Sequence, residues 1–182
     1  MSTLPVQQKH AAACLSLKDR LHLKRNATAL LLDVSGSMSS DCEPGHSKIQ
    51  ALREIVGQAN TGSIFYFADS CQPCTKATVP NPHGGTYMAR AFDFLKQAGI
   101  SAAVLITDGE ANDKSAALEA VKGLKLQILY IGPGARPEFL DRLANLAGGF
   151  CTKEDLLKPK ELSEKITLLL GMSTTSGGSI CL

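Results

Sequence analysis

The chain has 182 residues, 44% of them hydrophobic and 20% charged, which is long enough for one domain with its own core. Its formal net charge of +2 is too small to indicate a nucleic acid as the partner, and six cysteines spread over this length do not indicate a small disulfide scaffold. The amino terminus lacks the apolar segment of a signal peptide and no apolar run is long enough to span a bilayer, so we expect a cytoplasmic protein without a membrane partner.

Apolar, strand-like runs alternate with helix-like stretches along most of the chain. In chain order the predicted elements are strand 28–34, helix 47–59, strand 63–68, strand 75–79, helix 86–98, strand 101–107, helix 113–122, strand 126–131, helix 137–146, strand 150–151 and helix 155–170. Ser47 is the predicted cap of the first helix, and the short distance between the second and third strands predicts a hairpin. The alternation predicts an α/β fold, Rossmann-like and doubly wound, with a mostly parallel sheet, one antiparallel edge strand and helices on both faces.

The composition divides the chain into an amino-terminal extension 1–26, a domain 27–170 and a flexible tail 171–182. The extension is basic, and without interleaved aromatic residues this favours a solvated helix face over a nucleic-acid-binding arm. The tail consists mainly of small and polar residues, which is typical of a segment without a core of its own.

Three polar segments are placed where the predicted topology brings chain ends together. The first buried strand runs into D-V-S-G-S-M, which contains Asp33, Ser35 and Ser37; a G-G-T contains Thr86; and a later buried strand ends in T-D-G, which contains Asp108. Ligands of such sheets bind beyond the carboxyl ends of the strands. Carboxylates and hydroxyls are the hard oxygen ligands that Mg²⁺ prefers, and two carboxylates held close together repel unless a cation lies between them. The sequence therefore predicts a divalent-metal site.

These motifs, in this order, resemble the three parts of the metal-ion-dependent adhesion site of von Willebrand factor A domains, and the resemblance covers about 27–170. It implies that Ser35, Ser37 and Thr86 bind Mg²⁺ directly, or Mn²⁺ or Ca²⁺ in its place. Asp33 and Asp108 often act through water in this family, and an acidic residue of a partner protein completes the metal's ligands. The short form resembles the stand-alone prokaryotic or phage members, which implies an adaptor in assembly or regulation that works beside AAA+ ATPases of the MoxR type.

A second candidate metal site combines Cys71 and Cys74, a C-x-x-C at the predicted hairpin turn, with Cys42 and His46 from the loop after the first strand. Two thiols alone are half a zinc site, and the four residues together make a chemically sensible zinc ligand set. Because no second motif of standard spacing accompanies the C-x-x-C, the pattern favours free thiols over zinc or a redox pair.

The sequence predicts a binding module rather than an enzyme. One alternative is a metal-dependent hydrolase or phosphotransferase that uses Asp33 and Asp108, although Glu110 is the only candidate base beside the cluster. Another is an RNA-associated module, because some family members belong to ribonucleoprotein assemblies; the modest net charge argues against it. A complete dinucleotide fingerprint, a P-loop and a G-x-S-x-G elbow are absent from the sequence, which argues against nucleotide binding and serine hydrolase chemistry.

Overall fold

The computed structural model describes residues 28–109 and 111–172. The predicted extension 1–26, the candidate base Glu110 and the tail beyond residue 172 therefore lie outside the described residues. Within the described part of the chain, no helix is long and apolar enough to cross a membrane.

The described chain alternates strands and helices as the sequence predicts. The strands are β1 (Ala29–Asp33), β2 (Asp41–Glu43), β3 (His46–Ser47), β4 (Ile64–Phe67), β5 (Cys71–Cys74), β6 (Ala102–Thr107), β7 (Lys125–Tyr130) and β8 (Cys151–Lys153). The helices are α1 (Lys48–Gln58), α2 (Met88–Gln97), α3 (Lys114–Ala120), α4 (Glu138–Leu146) and α5 (Pro159–Met172). Short 3₁₀ turns lie at Gly36–Ser39 and Lys76–Thr78.

Six of these strands form one sheet in the order β5-β4-β1-β6-β7-β8. Every neighbouring pair is parallel except β4 and β5, which are antiparallel. Helices α2, α3 and α4 cover one face of the sheet, and α1 and α5 cover the other. This arrangement confirms the predicted doubly wound α/β fold with one antiparallel edge strand, and it places β1 and β6 side by side in the middle of the sheet.

Strand β1 carries the first polar segment because it is buried on both faces. Leu31 packs into the core under α2, α3 and α4, whereas Leu30 and Leu32 pack into the core under α1 and α5. A strand in this position reads as a continuous apolar run, and Asp33 is the residue at which the run ends. The carboxylate thus lies at the carboxyl edge of the sheet.

The edge strand differs from its prediction. The sequence pattern predicts a strand at 75–79 and a turn at the C-x-x-C, but the strand is Cys71–Cys74 and the following segment contains a 3₁₀ turn. Pro73 suggested a turn because proline cannot donate a ladder hydrogen bond. It is tolerated here because β5 lies at the edge of the sheet, where Pro73 pairs with Phe65 of β4.

Two further details were not predicted. A small hairpin, β2 and β3, follows β1, and Gly45 has the positive φ of 78° that its turn requires. The last helix begins at Pro159, not at residue 155, since proline's fixed φ and missing N–H suit the first turn of a helix. Ser47 does lie at the amino-terminal cap of α1, as predicted, and its N–H donates to Gln50 Oε1 at 2.8 Å.

Candidate metal centre

The three polar segments meet at the carboxyl edge of the sheet. The first follows β1, the third follows the adjacent strand β6, and the G-G-T segment precedes α2. The Gly36 N–H donates to Gly84 O at 3.1 Å and the His83 N–H donates to Val34 O at 2.9 Å, so the first segment is hydrogen-bonded to the second. Residues that are far apart in the sequence therefore lie together, and the three segments 33–38, 84–86 and 107–109 are called the rim below.

Asp33 is buried and oriented by neutral hydrogen-bond donors. The Ser35 N–H donates to its Oδ1 at 2.9 Å, and the Thr107 hydroxyl donates to its Oδ2 at 2.6 Å. Thr107 Oγ1 in turn accepts the Gly109 N–H at 3.0 Å. Burial raises the pKa of Asp33 to about 6, the hydrogen bonds from Ser35 and Thr107 oppose that rise, and the nearby charge of Asp108 adds to it. An ionised Asp33 is thus held in place but poorly compensated, which a cation would correct.

The serine hydroxyls of the first segment lie together. Ser35 Oγ and Ser37 Oγ are 3.1 Å apart, and Ser35 is buried whereas Ser37 is half-buried. Met38 lies in the same 3₁₀ turn as Ser37, Gly36–Ser39, and its side chain is fully buried in the core under α1 and α5. The pair therefore has a fixed backbone on one side and access to the outside at Ser37.

Thr86 is held by residues that follow β6. Its N–H donates to Asn112 Oδ1 at 2.6 Å, and the Asn112 N–H donates back to Thr86 O at 3.0 Å. Asp113 accepts the first two N–H groups of α2, from Met88 and Ala89, at 3.0 and 2.9 Å. A carboxylate from another segment thus caps the helix and ties the second polar segment to the third.

Asp108 has one paired oxygen and one unpaired oxygen. Its Oδ2 accepts a hydrogen bond from Lys48 Nζ at 2.9 Å, and both side chains are buried. Its Oδ1 is buried and has no hydrogen-bond partner within the described part of the chain. A buried acceptor without a donor costs free energy, about 1–3 kcal/mol, unless something binds it. Together with buried Asp33 and three hydroxyls, this orphaned oxygen fits a hard divalent cation.

The sequence patterns do not indicate that Lys48 and Thr107 belong to the site, although both contact its carboxylates. Lys48 looked like a polar position on an amphipathic helix, and its pairing with Asp108 spans 60 residues. Thr107 looked like the last residue of a strand. No local pattern marks either residue as part of the site, although the T-D-G motif itself contains Thr107.

The four candidate zinc ligands are not brought together. Cys71 packs into the core under α2, whereas Cys74 contacts the core on the opposite face of the sheet, as residues three apart on a strand must. Cys42 Sγ donates to His46 O at 3.1 Å, and the His46 ring lies 3.3 and 3.5 Å from two glutamate carboxylates. Among the described residues, no three His, Cys, Asp or Glu side chains are grouped so as to hold a metal.

We expect Cys71 and Cys74 to be unpaired and slow to react in the folded protein. Burial raises the pKa of Cys71 to about 12 and that of Cys74 to about 11, so the reactive thiolate is scarce at neutral pH. Alkylation by iodoacetamide at pH 7.5, followed by peptide mass spectrometry, should be about 100-fold slower at both residues than in the urea-unfolded protein. A native Cys71–Cys74 disulfide would contradict this geometry.

An open cleft of about 750 Å³ lies beside the rim, on the side of β7 and β8. Its lining includes Lys48, the apolar residues Ile131 and Leu156, and the charged residues Asp41 and Lys153. None of the five predicted metal-site residues lines it, so Lys48 is the residue that the cleft shares with the surroundings of Asp108.

Comparisons with known proteins bear on the fold. The chain is similar to the solved structure of a von Willebrand factor type A protein from Catenulispora acidiphila, with a TM-score of 0.61 and 17% identity over 80% of this chain and 43% of that chain. It is also similar to the PilB minor pilin from Streptococcus sanguinis (TM-score 0.51, 13% identity, 84% and 64%) and to proximal thread matrix protein 1 from the mussel byssus (0.52, 16%, 79% and 45%). No protein-family model and no curated protein sequence matches the chain.

These likenesses show that the chain has the fold of a von Willebrand factor type A domain. At identities of 13 to 17%, they speak for the fold alone. The chain spans 43% of the length of the Catenulispora protein and 64% of the pilin.

Proposed function

We propose that this von Willebrand factor type A module binds a divalent cation, Mg²⁺ or Mn²⁺ or Ca²⁺, and through it captures an acidic residue of a partner protein. Ser35, Ser37 and Thr86 would hold the metal directly, and Asp33 and Asp108 would act through water. The observation that carries the proposal is the buried Oδ1 of Asp108, which lacks a hydrogen-bond partner among the described residues. A second buried carboxylate, Asp33, lies nearby, and its pKa is raised by burial and, to a lesser extent, by the charge of Asp108.

A binding role follows from the charge balance of this ligand set. Bound there, the cation would supply an electrophilic centre for an anionic oxygen from outside. Two carboxylates that act through water and three neutral hydroxyls leave a divalent charge incompletely neutralised, so a partner's Asp or Glu is the natural additional ligand. Ser37, which is half-buried, marks the accessible side of the site. The module would serve as an adaptor in assembly or regulation, with AAA+ ATPases of the MoxR type as candidate partners.

Calorimetric titration of Mg²⁺ and Mn²⁺ into the EDTA-treated full chain tests the metal step. We expect one site per chain and a melting temperature that rises with metal concentration, because a ligand that binds only the folded state stabilises it by mass action. Absence of binding by both metals at millimolar concentration would refute the proposal.

Partner capture needs a second experiment. The immobilised full chain, exposed to a lysate in Mg²⁺, should retain proteins that EDTA releases and that renewed Mg²⁺ rebinds. An Asp33→Asn bait is the matched control and should retain none of them. If the metal binds but no EDTA-sensitive protein is retained, and the Mg²⁺-loaded chain hydrolyses a phosphate ester, the hydrolase alternative replaces the adaptor role.

A further inference from the structure

Lys48 occupies an unusual place for a lysine. It is the first residue of α1, where the partial positive charge of the helix end disfavours a cation. Its side chain is buried, unlike that of every other lysine among the described residues. A buried ammonium at this end of a helix requires a compensating anion, and Asp108 Oδ2 at 2.9 Å is that anion.

Lys48 contacts two parts of the proposed metal site. Besides its ion pair with Asp108, its Nζ lies 3.5 Å from the carbonyl oxygen of Ser37, whose hydroxyl is a proposed metal ligand. The ammonium therefore lies against the first and third polar segments at once. Two positive charges, one on Nζ and one on a cation at the rim, would repel each other across a few ångströms of buried space.

We propose that Lys48 is a built-in counter-ion, which pairs with Asp108 in the metal-free protein and thereby lowers the affinity of the site for its divalent cation. This inference rests on the proposed metal-binding function and adds what limits the affinity of that site for its metal. The lysine stabilises the metal-free fold, since without it Asp108 would be a buried charge with neither oxygen compensated. Metal binding must overcome this internal cation, so the site favours capture of metal together with an anionic partner.

Lys48→Met removes the charge and keeps the length of the side chain. In calorimetric titrations of the full chain, we expect Mg²⁺ and Mn²⁺ to bind about tenfold more tightly to this variant than to the wild type, because one nearby positive charge is gone. Without metal, the variant should melt about 10 °C lower, because one partner of a buried pair is missing. Saturating Mg²⁺ should restore most of this loss. If Lys48 had only a structural role, replacing it would lower both the stability of the protein and its metal affinity.

Three further variants complete the test. Lys48→Arg keeps the charge and should bind Mg²⁺ like the wild type. Lys48→Gln keeps a donor for Asp108 without the charge, so it should fold even if the methionine variant does not, and should also bind more tightly. Lys114→Met is the matched control, because Lys114 is likewise the first residue of a helix but is exposed.

The outcomes separate the two proposals. Wild-type or weaker affinity in both Lys48→Met and Lys48→Gln would overturn the counter-ion role and leave the metal-binding function standing. Failure of the wild type and of every Lys48 variant to bind Mg²⁺ or Mn²⁺ would overturn both.

Discussion

Asp33→Asn is expected to lower the Mg²⁺ affinity about 100-fold while the protein still folds. The asparagine has the same shape, its Oδ1 can still accept the Ser35 N–H, and its amide can donate to Thr107 Oγ1. Because burial disfavours the carboxylate of Asp33, the metal-free variant should melt at or above the temperature of the wild type. Only metal binding is weakened, because the charge that attracts the cation has been removed.

Two measurements check this expectation: calorimetric titration with Mg²⁺, and thermal melts in EDTA and in Mg²⁺. The matched control is Asp93→Asn, the same chemical change at an exposed position on α2. This variant should bind Mg²⁺ normally and keep the metal-induced rise in melting temperature. Normal Mg²⁺ affinity in Asp33→Asn would remove Asp33 from the site.

Alanine at the same position is a poorer test. Asp33→Ala would leave the Ser35 N–H and the Thr107 hydroxyl without their acceptor in a fully buried place, at a cost of about 2–4 kcal/mol. Lost metal binding could then reflect partial unfolding. Asp33 therefore has a structural role besides its proposed role in the metal site. The hydrogen bonds at the sheet edge show that it also holds two segments together.

The sheet and the positions of Asp33 and Asp108 could be predicted because both depend on local pattern. Parallel strands buried on both faces are continuous apolar runs, and the first polar residue after each run marks the carboxyl edge. The right-handed connections of such a sheet then bring those edges together without further information. The five predicted residues of the site thus come from two strand ends and one glycine-rich turn, each of which has a recognisable sequence pattern.

The surroundings of the site could not be predicted because they depend on contacts between distant segments. Lys48 and Asp108 are 60 residues apart, and the donor to Asp33 Oδ2, Thr107, is 74 residues away from it. In the sequence, Lys48 is one polar residue at a helix start, and nothing nearby shows that it will be buried. Asn112, whose Oδ1 accepts a hydrogen bond from the Thr86 N–H, likewise has no local sequence signal that connects it with Thr86.

Gly149→Ala is expected to destabilise the fold by about 3 kcal/mol or more, although Gly149 touches no residue of the site. A Cβ at this position would lie 1.8 Å from Leu126 O and 2.7 Å from Leu126 C, which are backbone atoms of β7. That strand is paired on both sides, with β6 and with β8, so its carbonyl cannot move away. Either β8 must shift away from β7 or the turn after α4 must open, and both lose ladder hydrogen bonds.

Urea unfolding followed by circular dichroism measures the effect, and Gly57→Ala supplies a control of opposite sign. Gly57 is exposed within α1 and nothing lies within 4 Å of an added Cβ, so alanine should stabilise the helix by about 0.5–1 kcal/mol. The same methyl group therefore distinguishes a glycine required by close backbone approach from one that only costs entropy. If both variants shifted the urea midpoint equally, the close contact between β7 and the α4–β8 connection would be wrong, and with it the placement of β8 at this edge of the sheet.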